Sequence, residues 1–310
     1  MVLANKTNTG VFITNGASVP GGIVQELTRL LVAGGYRVTV MVEGSKGAHL
    51  VRAVGGFPAY SGLLRAGEIR SMIKGANAEV VVNLAPQSVN ALPALKVNWD
   101  DRVLTDGTTA IIEGAKAAGV QYLIHTSYAY IGAGSSDDAA SFLKAAAAAE
   151  KQVLNSGIPA AVLRFGFLYG DSPEAAAVRD LLRVGRAVDT GANVPVNFTY
   201  LSDAADAMLR AIQHRLTGVT LNIVDDQPAT TADFMQYFAE AQGVGLMSRP
   251  AFLSALMGGG DKRQFALTHL PAHAHNTEAK SALGWKPRFP NYRVGIDDTL
   301  LTWRAEEATR

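Results

Sequence analysis

Residues 10–43, GVFITNGASVPGGIVQELTRLLVAGGYRVTVMVE, restrict the possible folds more than any other stretch. Val11-Phe12-Ile13-Thr14 is a short apolar run of strand length and β-branched character. A glycine-bearing turn follows at 16–22. Ile23, Leu27, Leu30 and Leu31 then recur at spacings of three and four until Gly34-Gly35 stops the pattern. A second apolar run, 38–42, ends at Glu43. Strand, tight turn, helix and strand in such a short span predict a parallel βαβ unit.

A turn of this kind has a chemical use. The start of the helix presents unpaired N–H groups and the positive end of a dipole, and glycines let a pyrophosphate approach without meeting a Cβ. An acid closing the second strand accepts hydrogen bonds from an adenosine ribose and repels a 2′-phosphate. On this reading Glu43 favours NAD(H) over NADP(H). The turn departs from a regular G-x-x-G-x-x-G. Gly16 and Gly22 hold the outer positions, but the middle one is Val19, so a plain βα turn that binds no dinucleotide stays open as an alternative.

Composition removes other classes. With 310 residues, 48% of them hydrophobic and 18% charged, the chain can bury a large α/β core. A net charge of +1 without a basic run gives no reason to expect nucleic acid. The absence of cysteine excludes disulfides, thiolate metal sites and cysteine nucleophiles. No apolar run is long enough to span a membrane, and the first ten residues lack a signal-length apolar stretch, so a cytoplasmic location is expected.

Further along, 78–85, 121–127 and 160–165 read as buried strands, with helical patterns at 103–118 and 141–156 between them. This alternation predicts a Rossmann-type doubly wound parallel sheet with helices on both faces and ligands beyond the carboxyl ends of its strands. The loops at 16–22, 85–87 and 127–132 would share that rim. After Gly170 the rhythm changes. The expected division is a dinucleotide-binding domain over 1–170 and a smaller C-terminal α+β lobe over 171–310, with about 202–224 packing back on the core. Ser202 is the expected cap of a helix reaching His214.

Taken together, these stretches resemble the extended short-chain dehydrogenase/reductases, the NAD-dependent epimerase/dehydratase family. The resemblance rests on Asn15-Gly16-Ala17-Ser18, Asn83-Leu84-Ala85, Gly107-Thr108, Thr126-Ser127 and Leu163-Arg164-Phe165-Gly166 with Tyr169-Gly170. It also rests on Phe198-Thr199-Tyr200-Leu201-Ser202-Asp203 and on Asn276-x-x-x-Lys280 ahead of Leu283-Gly284-Trp285-Lys286-Pro287. It covers nearly the whole chain. It implies that Asn15, Gly16, Ser18, Val19, Gly22, Glu43, Leu84, Ala85 and Phe165 meet the cofactor, and that the helices at 108–118 and 141–156 can pair two copies of the chain.

The family usually works with a Ser, Tyr and Lys set, in which the lysine one helical turn beyond the tyrosine lowers its pKa and the serine orients the substrate oxygen. Ser127 matches the serine. In the register anchored by Ala149-Glu150, however, Phe142 stands at the tyrosine position and Ala146 at the lysine position. The family's acid is missing. Tyr128 and Tyr130, in the rim loop, are candidate substitutes, as is water. Leu63 stands where the family has an adenine-binding acid.

Other polar residues have simpler readings. Lys144 points away from the lysine position and reads as surface, His125 as a core histidine, and His269, His273 and His275 as surface rather than a metal site. Asp225-Asp226 reads as turn chemistry. Two functions follow. One is an atypical NAD(H)-dependent oxidoreductase or epimerase/dehydratase on a small carbonyl or hydroxyl compound. The other is a catalytically inactive nucleotide sensor, or an accessory subunit of a larger protein complex, with or without a bound dinucleotide.

Overall fold

A computed structural model describes residues 9–14, 22–42, 44–60, 66–85, 102–134, 137–185, 193–246 and 266–309. Strands β1 (Gly10–Ile13), β2 (Arg37–Val42), β3 (Phe57–Tyr60), β4 (Ala78–Asn83), β5 (Tyr122–Tyr128), β6 (Ala160–Phe165) and β9 (Val219–Ile223) form one sheet. Its order is β3-β2-β1-β4-β5-β6-β9 and every pairing is parallel. The chain works outward from β1 to β3, then returns to start again at β4 beside β1. The loops leaving β1 and β4 therefore diverge, and a crevice opens at the carboxyl ends of those two strands.

Alternation along the strands sorts the two faces. Val11, Ile13, Val38, Val40, Ile124 and Leu163 pack under helices α1 (Ile23–Ala33) and α7 (Leu201–His214). Phe12, Met41, Val81 and Leu123 face the other way, toward α3 (Ala66–Gly75) and α4 (Thr108–Ala118). Helix α5 (Asp137–Leu154) lies on this second side and delivers Val153 to the same cluster. With β5 buried along its whole length, the near-continuous apolar reading of a central parallel strand is accounted for.

Beyond β6 the chain forms β7 (Phe167–Tyr169), α6 (Pro173–Arg183) and β8 (Phe198–Tyr200). The two short strands pair in parallel, Phe167 with Phe198 and Tyr169 with Tyr200. A second core, largely aromatic, joins them to α8 (Thr231–Glu240) and to the last helix, α10 (Tyr292–Ala308). Gly166 separates β6 from β7. A Cβ there would collide with the backbone of Asn197 and Phe198, so only glycine lets the two chain segments lie this close.

Several local expectations shift. Helix α5 starts at Asp137, four residues before the predicted 141. Ser202 is not a cap: Tyr200 holds the extended cap position and no side chain caps α7. Asp203 does the structural work instead. Buried in the first turn of α7, its carboxylate accepts the backbone N–H groups of Arg288 at 3.1 Å and Phe289 at 3.0 Å, while Trp285 Nε1 donates to its carbonyl at 3.1 Å. Thus the Leu-Gly-Trp-Lys-Pro segment after α9 (Thr277–Leu283) is tied to the core through one aspartate.

Asp225 and Asp226, adjacent in sequence, diverge. Asp226 pairs with Lys280 and accepts from Asn276 Nδ2 at 2.7 Å. Asp225 is buried and meets the Tyr169 hydroxyl at 2.8 Å.

Candidate active site

Hydrogen bonds stitch the rim of the crevice from three strands. Thr14 Oγ1 donates to Asn83 Oδ1 at 3.0 Å, and Asn83 Nδ2 reaches His125 Nδ1 at 3.0 Å. The Ala85 amide donates to Thr126 Oγ1 at 2.9 Å. The end of β4 is thereby fixed to both neighbours. Asn83 is the hub of this network, a role its place at the end of an apolar run does not announce.

The start of α1 faces the same crevice. Gly22 occupies its cap position with φ +62°, in the left-handed region, and no side chain caps the helix. Among the described residues no side chain takes its first N–H groups, and a phosphate suits that position. The donor set at this switch point fits a dinucleotide. Asn15, Gly16, Ser18, Val19, Glu43 and Leu63 lie outside the described residues. Leu84 and Ala85 are buried just past β4. Phe165 ends β6, is buried, and accepts the Ala129 amide at 2.7 Å.

Strand β5 and helix α5 build the rest. His125 and Ser127 point to the side that α5 covers, and on α5 the inward positions recur every fourth residue: Phe142, Ala146 and Glu150, all buried. The Phe142 ring meets Tyr128 edge-on at 4.8 Å. Lys144 is exposed and takes no part. Ser127 lies opposite Arg164 in the β5–β6 register. The Arg164 guanidinium is held by Glu150 in a two-point pair, 2.8 and 2.6 Å, so its charge is already matched.

Among the described residues, Ser127 Oγ, the Tyr130 hydroxyl and His125 Nε2 are buried in this region without a partner. Burial lowers the His125 pKa to about 4, against a smaller opposing pull from Glu150. His125 is therefore a neutral core residue, its Nδ1 accepting from Asn83 and its proton assigned to Nε2. Burial drives the Tyr130 phenol well above its ordinary value, and Tyr128 adds to the rise. The Tyr130 ring lies 6.1 Å from Tyr128 and 5.2 Å from Phe167. Phe167 is a wall residue that the sequence alone did not single out.

No group of three metal-ligating side chains occurs among the described residues, and His273 Nε2 instead meets the Ile131 carbonyl at 3.1 Å.

Comparison with known proteins matches this geometry. A family model described as NAD(P)H-binding matches residues 16–215. A 3-diazoavenalumate denitrifying reductase from Streptomyces is 29% identical over 315 aligned residues, spanning 90% of this chain and 97% of that protein. Among solved structures, the UDP-glucose 4-epimerase of Thermotoga maritima superposes with a TM-score of 0.75 at 19% identity, covering 96% of this chain and 99% of the other. A dTDP-glucose 4,6-dehydratase from Bacillus anthracis, solved with NAD, gives 0.74 at 14% identity over 97% and 98%. These two share the fold, a parallel Rossmann sheet with flanking helices. No helix among the described residues is long and apolar enough to cross a membrane. Since the family match runs from the first glycine turn through the end of α7, the chain belongs to the NAD(P)H-binding family.

Proposed function

We propose that the chain is an NAD(P)H-dependent reductase in which α5 supplies no proton, acting on a small aromatic acceptor such as a diazo arene. One observation carries the reading: Phe142 and Ala146 fill the inward positions of α5 next to Ser127 and Tyr128, where neither can exchange a proton. Epimerisation or dehydration of a sugar-like substrate needs a proton removed and returned, so this arrangement disfavours both. Reduction asks for less.

A nicotinamide cofactor held at this crevice would supply a hydride, and a diazo arene of the kind named for the Streptomyces reductase would take it at the ring carbon as the C–N bond breaks and N₂ leaves with its electron pair. No proton enters that balance. Within this reading the rim network from Thr14 through Asn83 and Thr126 fixes the floor of the cofactor site, and Ser127 orients the acceptor. Phe142 and Tyr128 keep water from the reacting carbon. Glu43, which follows β2 directly in sequence, favours NADH over NADPH. Residues beyond 170 form the lobe that selects the substrate, two copies pair through α4 and α5, and the protein works in the cytoplasm on that compartment's nicotinamide pool. The reductase relative does not favour the non-catalytic alternative.

The test is cofactor oxidation by purified protein with NADH and NADPH against two acceptor sets, arene diazonium salts and simple ketones. Turnover of the diazonium salts, with NADH preferred and ketones inert, is the expected result. Ketone reduction with a bell-shaped pH profile would mean that another group supplies the acid and would overturn the reading.

A further inference from the structure

The stretch from Tyr128 to Gly134 leads from the end of β5, which carries Ser127, toward α5, which carries Phe142 and Ala146. Its setting therefore decides how the two parts of the candidate site face each other. Two tight turns close within it, Ile131 N to Tyr128 O at 3.2 Å and Ala133 N to Tyr130 O at 3.0 Å, while Ala129 N donates to the Phe165 carbonyl at 2.7 Å. Gly132 and Gly134 have φ +98° and +115°, in the left-handed region. The Ile131 carbonyl serves neither turn.

A second hold comes from far along the chain. Residues 272–276 form a strap that is pinned along its length. Ala272 N donates to the Pro195 carbonyl at 2.7 Å, Asn197 exchanges two hydrogen bonds with the Ala274 main chain at 3.1 and 3.3 Å, and Asn276 Nδ2 donates to the Val224 carbonyl at 2.8 Å. Ala274 packs with Ala129 of the loop and with Val224, all three buried. His273 then reaches across to the loop. Its Nε2 lies 3.1 Å from the Ile131 carbonyl oxygen, and a Cβ on Gly132 would meet the same nitrogen at 3.3 Å. A carbonyl only accepts, so this contact puts the imidazole proton on Nε2.

We propose that His273 is a positioning residue, whose hydrogen bond to the Ile131 carbonyl holds the loop after Ser127 in the setting the acceptor needs. The alanine contacts bury little area, so they leave the loop's orientation loosely specified. The imidazole adds the directional part, fixing one carbonyl beside two glycines whose backbone has the most freedom to move. His273 is exposed and touches the loop rather than the reacting atoms. It acts through the loop. The inference deepens the reductase reading and rests on it only for the claim that turnover responds.

Amide hydrogen exchange and turnover of wild type, His273→Ala and His273→Gln test it together. Glutamine keeps an N–H donor at the reach of Nε2. In His273→Ala the Ile131 and Ala133 amides are expected to exchange at least about fivefold faster, the worth of roughly one hydrogen bond, while Leu123 inside β5 keeps its rate. The melting temperature should stay within about 2 °C of wild type, because one exposed bond is lost. With an arene diazonium salt, kcat should fall about tenfold and the KM for NADH stay unchanged, the sign of lost positioning rather than lost cofactor binding. His273→Gln should restore both exchange and kcat. Unchanged loop exchange or unchanged kcat in the alanine variant, failure of glutamine to restore them, or faster exchange throughout β5 with a lower melting temperature would each overturn the inference. Absence of diazonium turnover in wild type would sink the reductase reading, and the exchange rates alone would then decide the hold on the loop.

Discussion

Gly166→Ala is expected to be among the most destabilising single substitutions in the chain, costing about 4 kcal/mol or preventing folding. The Cβ would enter the space of the Asn197 carbonyl group and the Phe198 nitrogen, all of them backbone atoms. No side-chain rotation relieves the clash, so β7 and β8 must separate or β6 must shift. Two hydrogen bonds go with the movement: Gly166 N to Thr199 Oγ1 at 2.9 Å, and Phe167 N to Asn197 O at 2.8 Å. Costs of overpacking and of lost buried hydrogen bonds add. Urea denaturation of wild type and variant measures the difference. A loss under about 1 kcal/mol would mean that the β6–β8 approach is looser than the structure has it.

Asp225→Asn should abolish a pH dependence of stability. Burial pushes the Asp225 carboxyl up to about 8; the Tyr169 hydroxyl and the Tyr200 amide pull it down, while Asp203 and Asp226 push it further up. The geometry agrees with a protonated acid. Tyr169 has one proton and two contacts, Asp225 Oδ2 at 2.8 Å and the Asn291 carbonyl at 3.1 Å. Both are satisfied when Asp225 donates to Tyr169 and Tyr169 donates to Asn291. The unfolded chain releases this proton near pH 4, and the folded chain keeps it to about 8. Between those values the folded state binds more protons, so stability falls as pH rises from about 4 to about 8 and levels off above. Asparagine offers the same donor without titrating. The variant should match wild type at or below about pH 4 and exceed it by a few kcal/mol near pH 9, for the full shift of several pKa steps. Parallel melting-temperature profiles would contradict this.

Sequence periodicity carried the fold because the sheet is wound from elements whose apolar spacing is regular. In β5, all seven residues are buried, and the run from Gln121 to Ser127 announces it. The first βαβ unit was legible for the same reason, and so was the seat of Ser127 at a strand end. Caps were less legible. A serine ahead of an amphipathic run suggested the cap of α7, yet the cap falls two residues earlier, at Tyr200, and Asp203 serves a distant loop rather than its own helix. That role depends on Arg288 and Phe289, more than eighty positions away, and no local pattern encodes it.

The candidate site divides along the same line. Phe142 and Ala146 could be assigned by register, because a helix repeats every four residues or so. Tyr130 could only be placed in a loop, where aromatic packing and a chemical role look alike. Its lack of a partner among the described residues is a property of tertiary structure. The pairing of Arg164 with Glu150 was equally hidden. Glu150 served only to set the register.

The central claim is hydride delivery without a protein-borne acid, and isotope tracing tests it most directly. Purified protein would be given cofactor deuterated at C4 of the nicotinamide and an arene diazonium salt in ordinary water, then the reverse combination in heavy water. The account predicts deuterium at the vacated ring carbon in the first experiment and none in the second, with no solvent isotope effect on the rate. Ring hydrogen drawn from solvent, or no transfer from the cofactor, would contradict it.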